Sequence, residues 1–345
     1  MTMNRINIKS LSLNAFEKWL VAHNIKPYRA TQIFKWIYQN QTDDFQSMTD
    51  ISLSLRQQLD EKFTISCIET ACIEHSSDGS KKYAFRLNDN HYVESVLIPE
   101  RNHHTLCISS QVGCAQGCSF CLTARQGFKR NLTIGEIVSQ VQMVMKDLND
   151  TDLPLKNIVF MGMGEPLANF LNVIEAIDIL INSKYGFQFS TRKVTLSTCG
   201  MVPNMVKFSQ YSPVQLAVSL NATDNHTRNV LMPINRKYPI EQLLEVCRNY
   251  PLRSGRRITI EYVLIKHVND DIKQAKKLCD LLRGIHTKIN LIPYNPHHKS
   301  KFERPDHSRV ESFQNFLIKN NYTAIIRQSK GSDISAACGQ LSSKM

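Results

Sequence analysis

From residue 105 onward the chain alternates two hydrophobic patterns. Short apolar runs at residues 106–109, 158–161, 194–197, 216–220, 259–265, 289–293 and 324–327 have the length and branched-residue content of buried strands. Between them, apolar residues return every three or four positions at residues 171–181, 240–248, 272–282 and 310–318, which predicts helices. The best marked helix opens on the capping box Thr133-Ile134-Gly135-Glu136, with Ile134, Ile137, Val138, Val141 and Val144 along one face. Strands alternating with helices predict a parallel sheet with helices outside. About six such units are too few for a closed eight-stranded barrel. The expected fold class is therefore α/β, an open partial (β/α)6 barrel over residues 105–345.

The upstream patterns differ. Lys82 to Leu87 and His91 to Ile98 alternate apolar and polar at period two around Asn88-Asp89-Asn90, which predicts a β-hairpin linker within residues 66–104, ended by Pro99. Residues 1–65 carry helical periodicity through Phe16, Leu20, Ile33, Phe34, Ile37, Leu55, Leu59 and Phe63. They predict a small helical accessory module, which either offers a basic face to nucleic acid such as RNA or is simply a packed accessory bundle.

Composition narrows the class. The 345 residues are 42% hydrophobic, enough for a sizeable core, and the net charge is +12. A basic balance favours a polyanionic partner, nucleic acid first. Residues 251–330 hold 16 Lys and Arg against 7 Asp and Glu, densest around Arg253, Arg256 and Arg257 and from His297 to Arg304. Phosphate contact is the expected use of that surplus. His103, His104, His297 and His298 read as surface or RNA-facing. No apolar run is long enough to span a membrane, and the polar start from Met1 to Leu20 carries no secretory h-region, so a cytoplasmic protein is expected. The ten cysteines then read mostly as reduced thiols.

Three of those thiols form the strongest feature, Cys114-Ala-Gln-Gly-Cys118-Ser-Phe-Cys121. The loop follows the first barrel strand, at the strand end where active sites of (β/α) barrels lie. Three close thiolates suit zinc or an iron–sulfur cluster. A structural zinc needs a fourth ligand, and His103 and His104 stand on the far side of the strand. A cube held by three cysteines leaves one iron open to a substrate group. Further strand ends carry polar groups able to bind a small ligand: Met161-Gly162-Met163-Gly164-Glu165, Ser197-Thr198, Ser219-Leu220-Asn221 and Tyr294-Asn295. Glu165 offers an acceptor for an ammonium group.

The three-then-two cysteine spacing resembles the radical S-adenosylmethionine (SAM) superfamily. From about residue 10 to the end, the sequence is similar to the RlmN/Cfr-type radical SAM RNA methyltransferases. The similarity is carried by the Val93-Glu94 hairpin, Cys107 to Leu132, Gly162 to Leu167, Ser219 to Ala222, Ile292 to Pro296 and Asp333 to Leu341. The Cys121 to Leu132 stretch, with Gln126-Gly127-Phe128, resembles the adenine carbon-2 branch.

The resemblance implies a 4Fe-4S cluster on Cys114, Cys118 and Cys121, and two SAM molecules per turnover. It implies SAM contacts from Gly164, Glu165, Ser197, Ser219, Leu220, Asn221 and Asn295. Cys338 would take a methyl group from one SAM, and a radical made from the second would activate that methyl to attack carbon 2 of an adenine. Cys107 would resolve the adduct, leaving a transient Cys107–Cys338 disulfide, with Glu94 as proton acceptor. The implied partners are 23S rRNA, tRNAs modified beside the anticodon, and an electron donor such as a flavodoxin with its reductase. A monomer away from any membrane is expected. Asn221 departs from the family's usual histidine. Two other readings remain: an adenine carbon-8 methyltransferase of the antibiotic-resistance branch, and a non-catalytic iron–sulfur protein that binds nucleic acid.

Overall fold

The computed structural model describes residues 5–148, 153–297 and 300–342; His298 lies outside them. Its centre is one ten-stranded sheet whose strands follow the order of the chain. β1 (Glu69–His75), β2 (Lys81–Arg86) and β3 (Tyr92–Pro99) form an antiparallel meander. β3 pairs antiparallel with β4 (His104–Cys107). From β4 the sheet turns parallel through β5 (Leu155–Phe160), β6 (Val194–Thr198), β7 (Gln215–Ser219), β8 (Ile258–Leu264), β9 (Thr287–Pro293) and β10 (Ala324–Ile326). Six crossovers join these seven parallel strands, and β10 ends the sheet without meeting β4. The barrel is open, as the patterning predicts. Residues 69–99 run into the same sheet through β3.

Three short helices, α1 (Leu13–Ala22), α2 (Arg29–Tyr38) and α3 (Leu53–Lys62), make the N-terminal module. Phe16 stacks on Phe34 and meets Phe63 edge-on, and Leu20, Ile33 and Leu59 are fully buried around them. The module packs on α4 (Ile134–Leu148), where Lys9 Nζ donates to Gln142 Oε1 at 2.6 Å. The capping box of α4 is formed: the Glu136 N–H donates to Thr133 Oγ1 at 3.2 Å, and the Thr133 N–H donates to Glu136 Oε2 at 2.9 Å. Ile137, Val138, Val141 and Val144 are 0% exposed. Each such side chain contributes roughly 1.5–3 kcal/mol of burial.

The other crossovers are α5 (Phe170–Ile181), α6 (Val202–Tyr211), α7 (Asn225–Leu231) with α8 (Ile240–Arg248), α9 (Ile272–Leu282) and α10 (His307–Lys319). The periodicity marks all but α6 and α7. α6 buries only Met205 and Phe208, and α7 is a seven-residue helix opened by an Asp224 cap. β1 is also unmarked: it is half exposed and broken by a bulge between Thr70 and Cys72, so no clean alternation announces it.

Two surface readings change. His104 is only 9% exposed, and its ring Nδ1 lies 3.0 Å from the Leu153 carbonyl. It is a buried residue at the start of an interior strand, paired with Pro99 on one side and Leu155 on the other, not an RNA-facing one. Arg256 turns inward, donating to the Pro213 carbonyl at 2.6 Å and to Thr191 Oγ1 at 2.7 Å. Its charge secures a loop beneath the barrel, and Arg253 and Arg257 are the exposed members of that stretch.

Candidate active site

The cysteine loop leaves a two-stranded hairpin, Gln111–Gly113 against Phe128–Asn131, at the C-terminal end of β4. Gly113 sits at φ 72°, and a Cβ there would lie 1.8 Å from the Gly127 carbonyl oxygen. Only glycine fits such an approach. The loop is tied down at three points. The Cys114 N–H donates to Gly127 O at 3.0 Å, the Ser119 N–H to Leu231 O at 2.9 Å, and the Leu122 N–H to Gly339 O at 2.8 Å. The last bond joins the loop to the segment carrying Cys338.

Cys114, Cys118 and Cys121 line one cleft at the mouth of the barrel. Burial pushes all three thiols up, Cys114 to about 12. Neutral buried thiols await a cation that displaces their protons. Three thiols ringing a cleft suit a cube, whose irons are separate. The donor set therefore fits an iron–sulfur cluster.

Glu165 lies beside the cluster loop, after Gly164 at φ 98°, where a Cβ would come within 2.5 Å of Gln111 Cβ. Its buried carboxylate is held from the protein side. Oε1 accepts from the Leu167 N–H at 3.0 Å and from Thr198 Oγ1 at 2.8 Å, and Oε2 accepts from the Cys199 N–H at 2.8 Å. Burial still raises its pKa. Ser197, Ser219, Asn221 and Asn295 line the same cleft. Leu220 does not: its side chain is fully buried, and its carbonyl accepts from Arg228 Nε at 3.0 Å. Asn221 adopts φ 58°, a conformation asparagine tolerates. Its Oδ1 accepts from the Val263 N–H at 2.8 Å, so it braces β8. Asn295 Nδ2 donates to the Cys338 carbonyl at 3.4 Å, which positions that loop as well as facing the cleft.

Cys338 lines the cleft, exposed to its water yet ringed by protein. Enclosure raises the thiol, and Glu261 adds to the effect. Cys107 is buried at the end of β4; burial raises it strongly, and the nearby Cys338 thiol raises it further. Both are free thiols. Glu94 stands apart. It lines a neighbouring cavity with Lys82, Leu122 and Ser342, where Oε2 accepts from the Ser342 N–H at 2.7 Å and Oε1 lies 3.4 Å from Lys82 Nζ. Burial raises its pKa above the usual carboxylate range.

One cleft residue escapes the patterning. Glu261, within the apolar strand β8, is 5% exposed, accepts from Asn290 Nδ2 at 2.9 Å, and is pushed up by burial to about 7. A lone carboxylate inside an Ile-Thr-Ile-Glu-Tyr-Val-Leu run was the available signal.

Comparison with known proteins matches these features. The family model for the ribosomal RNA large subunit methyltransferase N-terminal domain matches residues 6–65, and that for the radical SAM superfamily matches residues 108–279. The dual-specificity RNA methyltransferase RlmN of Desulfosudis oleivorans is 54% identical, over 97% of this chain and 90% of its own length. The chain belongs to the RlmN family of radical SAM methyltransferases. The RlmN of Geobacter sulfurreducens is 51% identical over 99% of this chain and 93% of its own. A radical SAM methyltransferase from Sphaerobacter thermophilus superposes with a TM-score of 0.90 at 40% identity, covering 98% of this chain and 100% of that one. As an RlmN-family enzyme, the protein uses a 4Fe-4S cluster and SAM.

Proposed function

We propose that this enzyme methylates carbon 2 of one adenosine in 23S rRNA and of the adenosine beside the anticodon in tRNAs. The observation that carries the residue assignment is the placing of Cys338 and the three loop thiols around one cleft, with Cys107 close beneath. Held by Cys114, Cys118 and Cys121, a reduced cluster would supply the electron that splits SAM into methionine and a 5′-deoxyadenosyl radical.

The chain's own residues divide the remaining work. Cys114, Cys118 and Cys121 hold the cluster. Gly164, Ser197, Ser219, Asn221 and Asn295 shape the SAM pocket, and Glu165 fixes the strand ends around it. Leu220 acts through its neighbours. The Cys338 thiolate displaces the methyl group of a first SAM, forming an S–CH3 bond as the S–CH3 bond of SAM breaks. The 5′-deoxyadenosyl radical would take a hydrogen atom from that methyl and leave as 5′-deoxyadenosine, and the carbon radical so formed can add to electron-poor carbon 2, where an electrophilic methyl cannot. The adduct radical gives up its unpaired electron to the oxidised electron carrier and its carbon-2 proton to a base. Cys107, as thiolate, then attacks the Cys338 sulfur, forming the disulfide as the sulfur–methylene bond breaks, and the methylene carbon takes up a proton to become the methyl group. Two electrons from an external donor, of flavodoxin or reductase type, reset both thiols. Glu94, buried behind the Cys338 loop, accepts a proton.

The target base must leave its stack to enter this cleft, which favours loops and flipped nucleotides. The N-terminal module and the exposed basic residues around Arg253 grip the phosphates. No helix among the described residues is long and apolar enough to cross a membrane; we infer a cytoplasmic monomer.

The test is the mass of the Cys338 peptide after incubation with methyl-deuterated SAM. A labelled methyl on Cys338, absent in Cys338→Ala with its iron intact, is expected. Iron loss in Cys338→Ala would make Cys338 a cluster ligand and overturn the scheme.

A further inference from the structure

Arg228 is among the largest fully buried side chains of the protein, 0% exposed on α7 beneath the cleft. Its guanidinium makes four hydrogen bonds: Nε to Leu220 O at 3.0 Å, Nη1 to Asn235 Oδ1 at 3.0 Å, and Nη2 to Cys199 O at 2.8 Å and Ser219 O at 3.0 Å. Every acceptor is neutral. Among the described residues no carboxylate pairs with it. A buried charge is ordinarily paired, because dipoles alone return only part of its lost hydration.

The ionisable groups that act on it are thiols: Cys199, Cys118 and Cys247. Cys118 belongs to the cluster loop. It packs with Cys199, Leu231 and Met232 in a small apolar layer under the cleft. The loop also rests on Arg228's own helix, since the Ser119 N–H donates to Leu231 O at 2.9 Å. The guanidinium thus sits directly under the place where cluster charge appears. Three thiolates outweigh the positive charge of an oxidised cube, so the loaded site is an anion. Reduction adds one more negative charge.

We propose that Arg228 is the buried counter-charge of the iron–sulfur cluster, holding the cluster's anionic shell and making its one-electron reduction easier. The proposal rests on the cluster reading of Cys114, Cys118 and Cys121. It explains why a cation is buried where only neutral acceptors meet it: its partner arrives with the cluster. A purely structural role, clipping the ends of β6 and β7 through their carbonyls, needs donors but no net charge.

The full-length chain, reconstituted anaerobically with iron and sulfide, separates the two. Wild type, Arg228→Lys and Arg228→Met are compared by iron and sulfide content, by EPR-monitored redox titration with dithionite, and by the melting temperature of apo and loaded forms. Arg228→Met should move the cluster midpoint to more negative potential, or lose iron while its apo form stays folded. Arg228→Lys should stay near wild type in both respects. Loading should raise the melting temperature less in Arg228→Met than in wild type. An unshifted midpoint at full iron content overturns the proposal. So does an apo Arg228→Met that melts well below apo wild type or fails to fold, since that marks a structural clip. Iron absent from wild type would instead sink the cluster reading beneath it.

Discussion

Asp78 Oδ2 accepts the Gly331 backbone N–H at 2.9 Å, tying the turn between β1 and β2 to the loop that carries Cys338. The clasp is reciprocal. Asp333 accepts from Ser76 Oγ at 2.6 Å and from the Ser77 N–H at 2.9 Å. The meander therefore does more than extend the sheet: it sets the height of Cys338 over the cluster loop. Burial opposes it, yet the bonds from Gly331, Ser80 and Ser76 hold the Asp78 carboxyl at about 2, so its end of the clasp stays charged at neutral pH. Asp78→Ala should leave iron content unchanged and speed alkylation of Cys338 several-fold, measured by timed iodoacetamide labelling and peptide mass. Unchanged labelling kinetics would show that the loop holds its place without the clasp.

Glu261 makes stability depend on pH. Its folded pKa of about 7 lies above its ordinary 4.5, so the folded state binds the proton more tightly. The neutral form's stability is present below pH 4.5 and is lost as pH rises through 7. The full effect is on the order of 3 kcal/mol. Glu261→Gln should match wild type near pH 4.5 and exceed it above pH 7 in urea melts of the apo protein. A constant difference between the two across that range would mean that Glu261 does not titrate as its burial requires. The same variant should make Cys338 more reactive at neutral pH, because the charge that raises its thiol is gone.

Gly113→Ala sets a Cβ 1.8 Å from a carbonyl oxygen, at a positive φ. The strain alone costs on the order of 1–3 kcal/mol, and the loop must shift to relieve the clash. Iron and sulfide content should fall several-fold while far-ultraviolet circular dichroism stays native. Full iron retention would show that the loop tolerates a different path.

Cys107→Ala removes the thiol that frees the product. RNA should then remain covalently joined to the protein through Cys338, visible as a slow band in denaturing gels that nuclease digestion collapses. Free methylated RNA at wild-type yield would assign resolution to another group.

The barrel was legible because its strands are short runs rich in branched apolar residues and its helices present one apolar face; those patterns survive in the order of residues. The cysteine loop was legible because its ligands are neighbours in sequence. What escaped is long-range. Nothing local in Glu69–His75 says that a half-exposed, bulged segment will edge the sheet. The resemblance implies a SAM contact from Leu220; its side chain fills the core and its carbonyl serves Arg228, an arrangement no local pattern announces. Glu94 and Cys338 were placed in one site by resemblance. The fold sets Cys338 in the cleft and Glu94 in the neighbouring cavity, where it accepts from the Ser342 N–H. Arg228 and Glu261 read as ordinary charges until the fold buried them.

The most direct measurement is anaerobic turnover of the cluster-loaded enzyme with SAM, a reductant and an unmodified ribosomal RNA fragment. Nucleosides are then resolved by mass spectrometry against carbon-2 and carbon-8 methyladenosine. The expected product is carbon-2 methyladenosine alone, lost in Cys338→Ala. Carbon-8 methyladenosine, or carbon-2 product that persists in Cys338→Ala, would contradict the function proposed for this site.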